Sequence, residues 1–141
     1  MNENKYKKGD FGYWWTVELG NEDIDGKEYS GDIKVPWNIK SLKGCPKKVI
    51  GNFCVVSQIY SLKHAPEYVS ENFDCMGCNR IKSLKGAPEY VGGDFACSGC
   101  DNLLSLRGAP KIVEGCFFYG HCPKLKDISC ISKIGRDFLD D

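Results

Sequence analysis

Val91-Gly92-Gly93-Asp94-Phe95-Ala96-Cys97-Ser98-Gly99-Cys100, followed by Leu103-Leu104-Ser105-Leu106-Arg107-Gly108-Ala109-Pro110, decides the fold, because the same order of residue types returns along most of the chain. The Gly-Asp-Phe element and its variants recur at Gly9-Asp10-Phe11, Gly31-Asp32-Ile33, Gly51-Asn52-Phe53, Glu71-Asn72-Phe73, Gly93-Asp94-Phe95, Gly115-Cys116-Phe117 and Arg136-Asp137-Phe138, at intervals of 20 to 22 residues. A second landmark keeps step with it: Ile39-Lys40-Ser41-Leu42, Ile59-Tyr60-Ser61-Leu62, Ile81-Lys82-Ser83-Leu84 and Leu103-Leu104-Ser105-Leu106. Each is followed by a proline (Pro46, Pro66, Pro88, Pro110) and, three residues later, by a valine (Val49, Val69, Val91, Val113). A period in this range marks a stacked-repeat architecture.

Each unit reads as one coil of a solenoid. The alternation of Phe95 and Cys97 is strand-like, so both point inward while Asp94 and Ala96 face out. Ser98-Gly99 supplies a permissive turn, and Ile81 and Leu84 anchor the return path of their unit. Pro88 removes an amide donor from the far side, which disfavours a helix there. One coil cannot bury its own faces, whereas stacking coils at about 4.8 Å lines up Phe53, Phe73, Phe95 and Phe117 as one ladder. The expected class is mainly β: a solenoid with one parallel strand per coil on a concave face, an irregular convex side, and an N-terminal β-hairpin as cap.

The boundaries follow from where the landmarks fade. Residues 1–38 read as an N-terminal cap, because Phe11-Gly12-Tyr13-Trp14-Trp15-Thr16-Val17 lacks the Ser-Leu and Pro landmarks. As a strand, this run would lay Tyr13, Trp15 and Val17 over the first coil and leave Trp14 on the opposite face. Residues 39–124 hold the repeats. Residues 125–141 read as a degenerate repeat and C-terminal cap, with Leu125, Ile128, Ile134 and Phe138 in approximate register before the acidic end Leu139-Asp140-Asp141. One continuous domain is expected, with no room for a separate catalytic one.

The string Phe95-x-Cys97-x-x-Cys100-x-x-Leu103-x-Ser105-Leu106-x-x-Ala109-Pro110 resembles the short bacterial type of leucine-rich repeat found in type III secreted effectors. It is more closely similar to repeats of tailed-bacteriophage proteins that combine a Gly-Asp-Phe-x-Cys strand with a Gly-Ala-Pro turn. The resemblance covers residues 39 to 122. It departs from the effector pattern where Gln58, Cys78, Cys100 and Cys122 hold the asparagine column, and where a lysine or arginine replaces the first proline of the turn. It implies a curved solenoid whose concave strand face binds partners, and it implies no activity.

Composition narrows the function classes. The chain has 141 residues with 19 basic and 19 acidic side chains, a zero balance that speaks against a nucleic-acid partner. No apolar stretch is long enough to span a membrane. Met1 to Asp10 is polar and lysine-rich with no apolar segment behind it, so no secretory leader is expected. The nine cysteines then read as reduced thiols in the cytoplasm, the host cytoplasm if the chain is phage-encoded.

Cys75-x-x-Cys78 and Cys97-x-x-Cys100 have the spacing of a four-cysteine zinc site. The same spacing arises when two columns of a solenoid both hold Cys in adjacent coils. The equivalents Val55 with Gln58, and Tyr119 with Cys122, show that these columns exist without a full set of thiols. A ladder of small buried thiols, a zinc site at Cys75, Cys78, Cys97 and Cys100, and a disulfide between stacked coils stand as alternatives. The ladder is preferred and no cofactor is expected.

No catalytic constellation is expected. A nucleophilic thiol requires a base and an orienting group, and the two histidines are His64, in a turn where other copies have glycine, and His121, beside Cys122. Lys40, Lys43, Lys63, Lys82, Lys85 and Arg107 recur with the coil and read as a solvated basic ridge. On the strand face, one outward column runs Lys34, Cys54, Asp74, Ala96, Phe118 and its neighbour Val56, Met76, Ser98, Gly120, with Asn52, Asn72, Asp94 and Cys116 flanking them. Val56, Met76 and Phe118 rimmed by Asp74 and Asp94 form a candidate interaction patch, and Trp14 is a candidate anchor. The expected function is non-enzymatic binding of a protein partner through this face, as by a phage factor that binds and inhibits a host or defence protein. A zinc-stabilised binding module and a self-assembling homo-oligomer are the alternatives.

Overall fold

The computed structural model describes residues 5–56, 58–129 and 137–139. Its order is a short helical segment followed by parallel strands that stack coil upon coil in two sheets. One sheet holds β1 (Glu28–Ser30), β3 (Lys48–Ile50), β5 (Tyr68–Val69), β7 (Tyr90–Val91) and β9 (Ile112–Val113), in that order. The other runs β2 (Ile33–Val35), β4 (Phe53–Val55), β6 (Phe73–Asp74), β8 (Phe95–Ala96), β10 (Cys116–Phe118) and β11 (Asp137–Leu139). The chain is therefore a β-solenoid of parallel coils.

A corner joins the two strands of each coil, and it holds successive coils in register. Asp32 Oδ1 accepts the Asn52 N–H, Asn52 Oδ1 the Asn72 N–H, Asn72 Oδ1 the Asp94 N–H and Asp94 Oδ1 the Cys116 N–H, at 2.7–2.9 Å. Coil backbones approach so closely here that only glycine fits in places. A Cβ on Gly51 (φ +152°) would lie 2.5 Å from the Gly31 carbonyl oxygen, and one on Gly92 only 2.1 Å from that of Ser70.

Immediately after the corner, Phe53, Phe73, Phe95 and Phe117 pair in register across the six-stranded sheet. Their rings stack at 5.4, 5.2 and 5.0 Å between centroids, and all four are buried. Columns of Ile59, Ile81 and Leu103, of Leu42, Leu62, Leu84 and Leu106, and of the post-proline valines complete the core. Each coil thus contributes one side chain to every column.

Three expectations need correction. The side opposite the Phe strands is not irregular: the valines Val49, Val69, Val91 and Val113 lie on β3, β5, β7 and β9, and Tyr68 stacks on Tyr90 at 4.7 Å. Two parallel strands per coil replace the expected one, because coils stacked at a common spacing can hydrogen-bond wherever both are extended.

Nor do the described residues of the N-terminal segment form a hairpin. The aromatic run forms a single helical turn, α1 (Phe11–Tyr13), that continues as π-helix through Trp14–Glu18. Phe11, Trp14 and Trp15 are spaced three and four apart, which puts them on one helical face. Trp15 stacks on Phe11 at 5.5 Å, and Trp14 meets Phe11 edge-on at 5.5 Å. Val17, expected to cover the first coil, is exposed. Strands β1 and β2, within the segment read as cap, already pair with the first repeat, each in a different sheet.

Gly9-Asp10-Phe11, finally, is no copy of the repeat corner. Asp10 bridges Ser41, and the Phe11 N–H donates to the Ser41 carbonyl at 2.8 Å. Phe11 therefore caps the run that carries Leu42, and the Phe ladder begins at Ile33 instead. At the other end Phe117 pairs in register with Phe138, as the repeat requires; Ile134 and the terminal Asp140-Asp141 lie outside the described residues.

Column stacking predicts that Phe73→Ala, cut from the middle of the ring stack, costs about 3–5 kcal/mol. Asn72→Ala, which removes the ladder acceptor of the solvent-accessible Asp94 N–H, should cost about 0.5–1.5 kcal/mol. Urea denaturation checks both, and a loss below about 1 kcal/mol for Phe73→Ala would be inconsistent with this core.

Candidate functional site

The outward positions of β6, β8 and β10, with the turn residues that follow them, create a concavity on the six-stranded sheet. Small residues lie in the middle coil, where Ala96 and Ser98 are almost fully covered, and large ones flank them. Asp74 and Met76 rise from one neighbouring coil and Phe118 and His121 from the other, enclosing a groove of about 450 Å³. The groove exists because the repeat is broken at Ala96 and Ser98.

Its walls combine apolar surface with negative charge. Met76 is 51% exposed, Phe118 is half-buried, and Val56, 43% exposed, precedes Met76 in the same column. Asp74 Oδ1 accepts the Met76 N–H at 2.9 Å and Asp94 Oδ1 the Cys116 N–H at 2.8 Å, so each carboxylate spends one oxygen on the scaffold. Neither joins an ion pair among the described residues. The groove thus offers two fixed carboxylates beside an aromatic ring and a thioether.

Of the candidate residues, the structure brings together Met76, Phe118, Asp74 and Asp94, with Val56 extending the surface toward the N-terminal coils. Trp14 is not among them. It is half-buried in the N-terminal cap, edge-on to Phe11 and Trp15. The exposed tryptophan is Trp37, 72% exposed in the turn after β2. Aligning the coils would have found it, since Trp37 holds the turn position that Gly77, Gly99 and His121 occupy elsewhere.

His121, the histidine beside Cys122, is both a turn residue and a groove wall. Its φ of +56° matches the +72° of Gly77 and Gly99, and His64 (φ +74°) likewise stands where Gly44, Gly86 and Gly108 have positive φ. His121→Gly should raise stability by about 0.5–1 kcal/mol through relief of left-handed strain, net of the entropy cost of glycine. Thermal and urea unfolding measure it.

The cysteines fall into columns. Cys75 and Cys97 occupy one buried column, Cys78 and Cys100 the next. The second column forms a donor ladder: Cys78 Sγ donates to the Val55 carbonyl at 3.6 Å, Cys100 Sγ to that of Cys75 at 3.3 Å, and Cys122 Sγ to that of Cys97 at 3.4 Å. Among the described residues no three His, Cys, Asp or Glu are grouped to hold a metal ion. The thiols serve where a repeat needs a small side chain that can cap a carbonyl.

Burial pushes the Cys45 and Cys97 thiols well above their ordinary range. Burial, reinforced by the Asp74 charge, also raises Cys54. In the pair Cys75 and Cys100 the shared hydrogen bond raises the former and lowers the latter. An unfolded thiol ionises near about pH 8.5 while a buried one keeps its proton, so this contribution is complete below that pH and is lost as pH rises. Unfolding free energy should therefore fall above about pH 8.5, with a shallower fall in Cys45→Ala/Cys97→Ala. Denaturant titrations at neutral and alkaline pH test this; equal slopes in parent and variant would refute it.

Comparison with protein-family models, with curated proteins and with solved structures found no match. No helix among the described residues is long and apolar enough to cross a membrane.

Proposed function

We propose that this chain is a non-enzymatic, protein-binding solenoid of the leucine-rich-repeat type, without a resident metal, whose six-stranded sheet face takes a segment of a protein partner. The observation that carries the reading is the groove over Ala96 and Ser98, where the exposed Met76 and the half-buried Phe118 stand beside the Asp74 and Asp94 carboxylates. Apolar contact area with a polar rim is the composition of a protein interface, and fixed carboxylates beside an aromatic ring favour a basic side chain in the partner. The resemblance of residues 39 to 122 to bacteriophage repeats directs the reading further, toward a phage factor that binds and blocks a host or defence protein in the host cytoplasm.

Val56 and Met76 are exposed, so Val56→Asp with Met76→Lys should change stability by no more than about 1 kcal/mol in total. The double variant should lose capture of the partner from a bacterial lysate while keeping the parent's circular dichroism and unfolding midpoint. Intact capture by the folded variant would remove the groove from the interface. Sedimentation at two protein concentrations separates this reading from self-assembly, in which the captured species would be the chain itself.

A further inference from the structure

Zero net charge is an average over the sides of the solenoid, and the side formed by the Ile-x-Ser-Leu runs departs from it. The segments 39–46, 59–66, 79–88 and 103–110 contain no acidic residue. At one position they carry Lys43, Lys63, Lys85 and Arg107, all exposed. None of these four, nor Lys82, joins an ion pair among the described residues.

The column is built into the backbone. Ser41, Ser61, Ser83 and Ser105 each accept on Oγ the backbone N–H of the basic residue two positions on, at 2.9–3.3 Å. The coils are also bonded to each other here. The Leu84 N–H donates to the Arg107 carbonyl and the Leu104 N–H to the Lys82 carbonyl, both at 2.9 Å. Four like charges thus repeat at about the coil spacing of 4.8 Å, with Lys43, Lys63 and Lys85 clear of any acid in their own runs and Arg107, at the end, facing the Asp127 carboxylate of the next coil. That arrangement is self-repelling until an anion lies on it.

A cleft opens where coil length changes. Five residues lie between Phe53 and Ile59, but seven between Phe73 and Ile81, and the added Asn79-Arg80 overhangs the shorter coil. The resulting cleft of about 550 Å³ is lined by Tyr60, Lys63, Arg80, Lys82, Ser83 and Lys85. Tyr60 is 60% exposed; the Arg80 guanidinium lies over its ring at 4.9 Å and donates to its hydroxyl.

We propose that this side binds single-stranded nucleic acid: the column Lys43, Lys63, Lys85 and Arg107 neutralises successive phosphates, and one unstacked base stacks with Tyr60 and Arg80. The Ser61 and Ser83 Oγ atoms accept from the backbone and keep their hydroxyl protons for a phosphate oxygen, whereas the Ser105 hydroxyl donates to Asp127 Oδ2 at 3.4 Å. Base stacking on an exposed aromatic ring within a basic groove is how single strands are held, and a duplex presents no free base face to the phenol. Polyglutamate carries the same negative charge with no base to stack, so it separates recognition of a base from attraction of any polyanion to the lysines and arginines. The site is separate from the groove over Ala96, so the two proposals stand or fall independently.

The test is fluorescence anisotropy of a labelled oligodeoxythymidine with the full chain. Binding should weaken about 20- to 50-fold for a fourfold rise in salt, as expected for three or four phosphates at a slope of about −0.7 each. Lys63→Glu with Lys85→Glu should abolish it, Tyr60→Ala should weaken it, and Tyr60→Phe should retain most of it; circular dichroism establishes that each variant is folded. No binding at low salt, binding indifferent to the lysine changes, equal affinity for the corresponding duplex, or equal affinity for polyglutamate would each overturn the proposal.

Discussion

Every other feature depends on one contact, the side-chain amide or carboxylate of an Asx corner accepting the backbone N–H of the same position one coil later. Asp32, Asn52, Asn72 and Asp94 form this chain of bonds. Strands of two or three residues would pair weakly by themselves. A corner bond that fits only one register, followed at once by a stacked phenylalanine, removes that weakness. A slip by one residue would turn Phe73 or Phe95 outward and break the ladder together. The polar and apolar columns therefore enforce each other, and the close approach at Gly51 and Gly92 is the geometric consequence.

Periodicity made the inner columns legible. Phe53, Phe73, Phe95 and Phe117, the Ile and Leu anchors of the return run and the thiols of Cys75 and Cys97 were all readable as inward, because a residue type that returns every coil needs a common environment. Local patterns were less informative. Gly9-Asp10-Phe11 has the letters of a corner but bonds to Ser41, since its place is set by which run of the first coil lies open. Tyr13 to Val17 fits either period over so few residues, and the ring contacts among Phe11, Trp14 and Trp15 decide for helix. The second sheet was hidden because two hydrogen-bonded residues after a proline leave no alternation to read.

The candidate site was half legible for a related reason. Met76, Phe118, Asp74 and Asp94 could be placed on the outward face by counting from the Phe ladder. Their convergence could not, because it depends on how far each side chain rises above its neighbours. Ala96 and Ser98 look unremarkable as letters, yet their small size makes a floor between Met76 and Phe118. Asp94 shows the converse. Read as a rim residue, it is also a rung of the corner ladder, so its functional and structural contributions share one carboxylate.

A strictly regular solenoid would present identical columns on every side, which stacks well and discriminates poorly. Specificity has to come from the coils that differ, and they differ where change is cheap, at outward positions and at turn length. The groove lies where outward residues shrink at Ala96 and Ser98, and the basic cleft where a coil lengthens by Asn79-Arg80. Both irregularities fall in the coils around Phe73 and Phe95, where the ring stack is continuous on both sides and coil spacing is best fixed. The most regular part of the core thus supports the least regular part of the surface, and this lets a scaffold of repeated coils hold unlike side chains at defined separations.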